Sequence, residues 1–244
     1  MDRMIYTSMS GAKAAMDRQD ALSNNLANVS TNGFRAELEA FRSVPIRGDG
    51  ASTRAFGLET SIGYDPTPGV MNETGRNLDI AMNGNAWLAV QALDGTEAYT
   101  RAGSLNVSSD GILMMSNGLQ VQSDGGSPIT IPANATVTIG SDGTVTAKTS
   151  DSPLPLPVGR IKLVTPDQPL QRGTDGLFRA TDGNDLAEDP AATLTDGALE
   201  GSNVSPVETM VGMIAAARQF EQQMKLLQIA QTQGAESAKL LGSS

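Results

Sequence analysis

The stretch from Gly201 to Leu241 limits what this chain can fold into more than any other. It opens Gly201-Ser202-Asn203-Val204-Ser205-Pro206-Val207-Glu208 and then runs on without another proline. Ser205 with Glu208 three residues later forms a capping box, and Pro206 takes the first helical position, where a missing N–H costs nothing. Met210, Met213, Ala217, Phe220, Met224, Leu227, Gln231, Gly234, Ala238 and Leu241 follow at alternating spacings of three and four, a heptad seam with a soft, polar far end. At about 1.5 Å per residue the helix is roughly 50 Å long. That length suits a long core helix of an ordinary domain, or an arm that wants a partner helix. The segment alone leaves both open.

A second helix is expected at the other end, from about Arg3 to Asn28. Ile5, Met9, Ala12, Met16, Gln19, Ser23 and Leu26 fall on one stripe, widened on a flank by Ala15, Leu22 and Val29. Small and polar residues interrupt the stripe, so this helix is weak alone. Asn24-Asn25-Leu26-Ala27-Asn28-Val29-Ser30-Thr31-Asn32-Gly33-Phe34-Arg35 ends it. Asn32 and Gly33 supply the left-handed conformations of the turn.

Between these ends the pattern changes twice. From Glu37 to about Asn77, prolines and glycines punctuate short segments with no helical period, which predicts an extended, partly β connection carrying a sparse basic series, Arg35, Arg42, Arg47 and Arg54. From Leu78 to about Thr181, short runs enriched in β-branched residues alternate with turns. The runs are 78–82, 86–90, 98–101, 136–139, 144–147 and 160–164, and the turns include Asn83-Gly84, Asp94-Gly95, Asp110-Gly111, Asn117-Gly118, Asp124-Gly125 and Asp142-Gly143. This is a small all-β domain. With aromatics at 4% and a single Trp87, its core is aliphatic and expected to lie around that tryptophan. The Asp-Gly pairs read as hairpin turns, since no fixed repeat and no EF-hand spacing accompanies them. Asp182 to Leu199, acidic and irregular, is the return to the final helix.

Composition removes most chemistry. The chain has no Cys and no His, which excludes thiol nucleophiles, imidazole bases and nearly all zinc or copper sites. No phosphate loop or nucleophile elbow occurs, and Glu37 and Glu39 carry nothing that marks an acid/base pair. No catalytic, cofactor-binding or metal-binding residue is assigned. The net charge of −10 is uneven: Lys/Arg against Asp/Glu number six to five in 1–47, eight to eighteen in 48–199 and three to four in 200–244. Near-neutral ends on an acidic body argue for protein partners and against nucleic acid. No apolar run approaches the ~20 residues of a membrane span, and Met1-Asp2-Arg3-Met4-Ile5-Tyr6 starts no cleavable signal peptide.

Two strings in the chain are specific. Asn-Asn-Leu-Ala-Asn-Val-Ser-Thr-Asn-Gly-Phe-Arg, ending at Arg35, resembles the N-terminal signature of the axial proteins of the bacterial flagellum, the rod and hook family. Gly-Ala-Leu-Glu-Gly-Ser-Asn-Val-Ser-Pro-Val-Glu-Thr-Met-Val, beginning at Gly197, is similar to the matching C-terminal signature. Leu78-Asp79-Ile80-Ala81-Met82-Asn83-Gly84 and Tyr99-Thr100-Arg101-Ala102-Gly103 resemble that family's central domain. The opening residues and Pro157-Val158-Gly159-Arg160-Ile161-Lys162-Leu163-Val164 lean towards its proximal rod branch. The resemblance implies an α+β chain whose long N- and C-terminal helices pair, coiled-coil-like, as a tube-wall domain carrying the small all-β domain.

Four segments follow: 1–35 helical, 36–77 extended, 78–199 β-rich and 200–244 helical. Subunit packing is expected at Ile5, Met9, Ala12, Met16, Leu22 and Leu26, and at Met210, Met213, Ala217, Phe220, Met224 and Leu227. The implied function is structural: a self-assembling rod subunit, not an enzyme, that carries torque for motility. Its partners are other proximal and distal rod subunits and copies of itself, with no nucleic acid and no membrane insertion. Its place is the periplasmic basal body, reached through the flagellum's own secretion channel. A distal rod or hook subunit is the alternative within the family. A secreted cell-wall-acting enzyme or binding module is the alternative outside it.

Overall fold

The computed structural model describes residues 2–45, 55–149 and 154–242, which separate into two compact units. The first comprises Met1–Val29, Ala36–Asp65 and Val204–Ser244, and the second Ser30–Arg35 and Pro66–Asn203. With helices at both chain ends and strands between, the protein is α+β.

The first unit holds α1 (Asp2–Ala27), β1 (Glu37–Pro45), β2 (Ala55–Tyr64) and α2 (Pro206–Gly242). Helix α2 starts where its cap dictates. Ser205 Oγ accepts from the Glu208 N–H at 3.5 Å, and Ser205 O accepts from the Thr209 N–H at 3.0 Å. The two helices run antiparallel within the unit: a Cβ on Gly212 would lie 3.2 Å from Leu22 Cδ1, and one on Gly11 would lie 2.9 Å from Gln223 Cδ. Strands β1 and β2 form an antiparallel ladder from Glu37↔Tyr64 to Pro45↔Ala55, with a register shift between Leu38 and Glu39. The 36–77 stretch thus divides, its first part forming this hairpin and residues from Pro66 onward lying in the second unit. Asn25 ties helix to hairpin, donating from Nδ2 to Glu37 O at 3.1 Å and accepting from Glu37 N–H at 2.8 Å.

The second unit contains β3 (Met71–Glu73), β4 (Ile80–Met82), β5 (Trp87–Gln91), β6 (Glu97–Thr100), β7 (Leu105–Val107), β8 (Leu113–Met115), β9 (Gln120–Val121) and β10 (Thr136–Ile139). It continues with β11 (Thr144–Lys148), β12 (Leu156–Arg160), β13 (Leu163–Val164), β14 (Gln171–Arg172), β15 (Phe178–Arg179), β16 (Leu194–Asp196) and β17 (Ala198–Glu200). The main sheet runs β14-β15-β6-β5-β9-β8-β7, with β13 also on β5. Strands β10-β11-β12 form a second sheet, and β16-β4 and β17-β3 pair separately. Strand β5 is central, facing β6 with Leu88↔Thr100 on one edge and β13 with Leu163↔Leu88 on the other.

The core occupies both faces of β5. Its aliphatic cluster takes Leu88 and Val90 from β5, together with Ile80, Leu105, Leu113, Val121, Val145, Ile161 and Leu163. Trp87 alternates to the opposite face of the strand, where it is also buried, with Phe178 at 4.7 Å between ring centroids and the Arg101 guanidinium 5.9 Å from its ring. Trp87 is thus part of the buried interior, on the face of β5 opposite the aliphatic cluster. Leu, Ile and Val at alternate positions fill one side of β5 without an aromatic, and the tryptophan seals the other.

Candidate assembly surface

Both helices bury small residues within their unit and leave large ones outside. On α1, Ile5, Ser8, Ala12, Ala15, Gln19, Leu22 and Leu26 form one inward row, with Ser8, Ala12 and Ala15 buried and the others half-buried, and Ala21 and Asn25 are buried beside it. On α2 the inward row is Thr209, Met213, Ala216, Phe220, Gln223, Leu227 and Ala230, of which Thr209, Ala216 and Ala230 are buried. Both sets alternate spacings of three and four, so heptad periodicity is present. Each set is turned from the stripe read from hydrophobicity. On α1, Ile5, Ala12, Gln19 and Leu26 of the stripe face inward together with Ala15 and Leu22 of its flank, Ser8 is added, and Met9, Met16 and Ser23 are exposed. On α2, Met213, Phe220 and Leu227 keep theirs, but Thr209, Ala216, Gln223 and Ala230 replace Met210, Ala217, Met224 and Gln231. Small side chains let the backbones approach, as Gly11 and Gly212 show, and a methionine at those positions would hold the helices apart.

The displaced side chains lie on the surface. Met9 is 62% exposed and Met16 54%, with Tyr6 on the same side of α1. On α2, Met210 and Met224 are exposed and Ala217 is half-buried. The structure adds residues that hydrophobic reading passed over: Val207, Val211, Ile214, Leu226 and Ile229 are all exposed. Val207, Val211 and Ile214 sit at spacings of four and three on the side of α2 away from its buried positions. Their helical period was a legible signal once a second face is considered. A shallow groove on this side is lined by Val211, Ile214, Ala215, Arg218, Gln219, Gln222 and Gln223. The first half of α2 thus carries apolar side chains on two opposite faces. The surroundings of Gly234 and the side chains of Ala238, Leu241, Arg42, Arg47 and Arg54 lie outside what is described.

The turn that closes the N-terminal segment belongs to the β-rich unit. Gly33 has φ +70°, and its N–H donates to Glu200 O at 2.8 Å. A Cβ at Gly33 would lie 2.2 Å from the Arg101 carbonyl carbon and 2.3 Å from Ala102 N, so conformation and space both require glycine there. Asn32 precedes it, half-buried. Elsewhere in this unit the titratable groups serve the fold. Tyr99 Oη donates to Glu97 at 2.8 Å and accepts from the Leu186 N–H at 2.6 Å, and burial holds its phenol well above the ordinary tyrosine value. Asp94 and Asp142 are held below the usual carboxylate range, chiefly by the Thr96 and Thr144 hydroxyls that donate to them in hairpin turns. Among the described residues, no group of three or more Asp or Glu is placed to hold a metal ion, and no helix is long and apolar enough to cross a membrane.

Three family models match the chain in order: a flagella basal body rod protein model over 5–35, a flagellar hook protein FlgE/F/G D1 domain over 81–147, and a flagellar basal body rod FlgEFG protein C-terminal model over 195–233. The chain is 45% identical over 236 residues to the flagellar basal-body rod protein FlgF of Salmonella typhimurium, covering 93% of each. It belongs to the flagellar basal-body rod protein family. It is also 43% identical, over the full length of both chains, to FlgF of Escherichia coli, and 32% identical to the flagellar basal-body rod protein FlgG of Bacillus subtilis, covering 93% of this chain and 94% of that one.

Proposed function

We propose that this chain is a structural subunit of the proximal rod of the flagellar basal body, assembling through its terminal helices into the shaft that transmits torque. The observation that carries the reading is the pair of helices whose large apolar side chains, Tyr6, Met9 and Met16 on α1 and Val207, Met210, Val211 and Ile214 on α2, face away from their own unit. A chain meant to stay monomeric rarely leaves so many exposed together, and neighbouring subunits are what they fit. The likeness to FlgF proteins over nearly the whole chain supports the same place in the rod.

In this reading α1 and α2 pair in the manner of an antiparallel coiled coil. Ile5, Ala12, Leu22, Leu26, Met213, Phe220 and Leu227 hold the pair, and Met9, Met16, Met210, Ala217 and Met224 pack on neighbouring rod subunits, of its own kind and of adjoining kinds. Such contacts are heterologous and generate an open helical stack. The protein catalyses nothing, works in the periplasm, and reaches it through the flagellar export channel without a cleaved signal. Expression in a bacterium lacking its own proximal rod protein tests the reading. Recovery of the chain in purified basal bodies, with swimming restored, is the expected result. A chain that is exported but absent from basal bodies contradicts it.

A further inference from the structure

Three short stretches flank the points where the chain enters and leaves the β-rich unit: Ser30–Arg35, the segment beginning at Pro66, and the segment ending at Asn203. All three meet at one carboxylate, Glu200, which is 1% exposed. Its Oε1 accepts from Arg35 Nη2 at 2.8 Å and from the Gly69 N–H at 3.0 Å. Its Oε2 accepts from Arg101 Nε at 2.8 Å and Nη2 at 2.6 Å. Both arginines are buried as well, with side chains 4% and 2% exposed. Arg101 spends its other donors on the carbonyls of Met82, Gly84 and Ala86, and Arg35 donates to Thr67 O. The backbones close around this centre. The Gly33 N–H donates to Glu200 O at 2.8 Å, Gly201 N–H to Val70 O at 2.8 Å, and Asn203 Nδ2 to Thr67 O at 3.0 Å. A Cβ on Gly69 would lie 2.0 Å from Gly201 O, so these strands touch backbone to backbone.

Two buried guanidinium groups and one buried carboxylate make each stretch depend on the others. A desolvated charge is tolerated only with its partners in place, and removing one leaves the rest uncompensated. Arg35 and Arg101 come early in the chain, and Glu200 is the last of the three. We propose that Glu200 is a latch: its docking makes 31–35, 67–70 and 200–203 order together as one cooperative joint, and without it the earlier two stretches stay open while the sheet around β5 forms. Closure of this unit then waits on the C-terminal signature segment, which links the two ends of the chain before any neighbour is met.

Amide hydrogen exchange on the purified full-length chain tests this without reference to rod assembly. In Glu200→Gln, the amides of Gly33, Gly69 and Gly201 should exchange faster by a common factor of about ten or more, while Ala89 and Leu113, in the main sheet, keep their protection. Arg35→Met leaves Arg101 paired with Glu200, and the same three amides should accelerate together there too. Acceleration confined to Gly69 in the first variant, or to Gly33 in the second, overturns the proposal, because the stretches then order separately. Equal acceleration at Ala89 and Leu113 also overturns it, because Glu200 is then part of the general core.

Discussion

Replacing Val211 and Ile214 with Asp separates a surface made for neighbours from one made for the chain itself. The two side chains are 61% and 56% exposed, so each has little burial to lose in the single chain. The monomer should change by no more than about 0.5 kcal/mol per site, including a few tenths from like charge between Asp at 211 and Glu208 one turn earlier. In the rod the account has both side chains covered. Loss of their burial removes about 1.5–3 kcal/mol each, and placing two carboxylates in an apolar contact adds a penalty of several kcal/mol. Differential scanning calorimetry of the purified chain should show an unmoved transition, whereas competition with the unmodified chain for incorporation into basal bodies should show at least a hundredfold disadvantage, the equivalent of about 2.8 kcal/mol. Normal incorporation of the double variant refutes the assignment of this face. So does a lost transition in the monomer, because the residues would then be holding their own unit together.

Other outcomes follow from the same geometry. Gly33→Val forces a β-branched residue to φ +70° and drives a Cβ into the Arg101–Ala102 backbone, so thermal unfolding should show destabilisation well above the ~1–2 kcal/mol of the left-handed conformation alone; an unchanged melting temperature contradicts the turn. In dilute monomer the helices rest on a seam interrupted by Ser8, Gly11, Gln19, Thr209, Gly212 and Gln223, so amides in Met9–Leu26 and from Phe220 onward should exchange much faster than those of β5, and equal protection opposes the view that neighbours complete them. The pKa shifts predict a stability plateau. The Asp94, Asp142, Asp175, Asp182 and Asp189 carboxyls are all lowered from 3.8, chiefly by hydrogen bonds from Thr96, Thr144, Arg179, Asn184 and Thr165 respectively. Their contribution is fully present above about pH 4 and is lost as pH falls through the lower folded values. Tyr99 is raised from 10.0, so its contribution is present below pH 10 and lost above it. With no histidine in the chain, melting temperature should stay flat from about pH 5 to 9, and a transition near pH 6.5 contradicts this.

How much of this was legible depends on how local each signal is. The start of α2 could be read to the residue, because Ser205, Pro206 and Glu208 act within one turn. The turns Asp94-Gly95 and Asp142-Gly143, which close β5–β6 and β10–β11, were equally readable, since such pairs encode their turn locally. Strands β7, β8 and β9 were not among the runs read, and Asn83-Gly84 closes no hairpin, since β4 pairs with β16. Which stripe residues face the partner helix within the unit was not readable, because a hydrophobic stripe weighs Met9 and Met224 above Ser8 and Gln223. Close helix packing prefers the reverse. The β1–β2 hairpin was legible only as extended and partly β, because glycines and prolines punctuate 36–77 without a regular period. The Arg35–Glu200–Arg101 cluster was beyond local reading, as its members come from three distant parts of the chain. Its trace in the sequence is that Arg35, Arg101 and Glu200 each lie inside a string that carries the family resemblance.

A density map of the proximal rod with side chains resolved tests the central claim most directly. The account predicts this chain in the rod wall with α1 and α2 antiparallel, and with Met9, Met16, Met210, Val211 and Ile214 covered by adjacent subunits. A map in which those side chains face solvent, or in which the chain is absent from the rod, contradicts it.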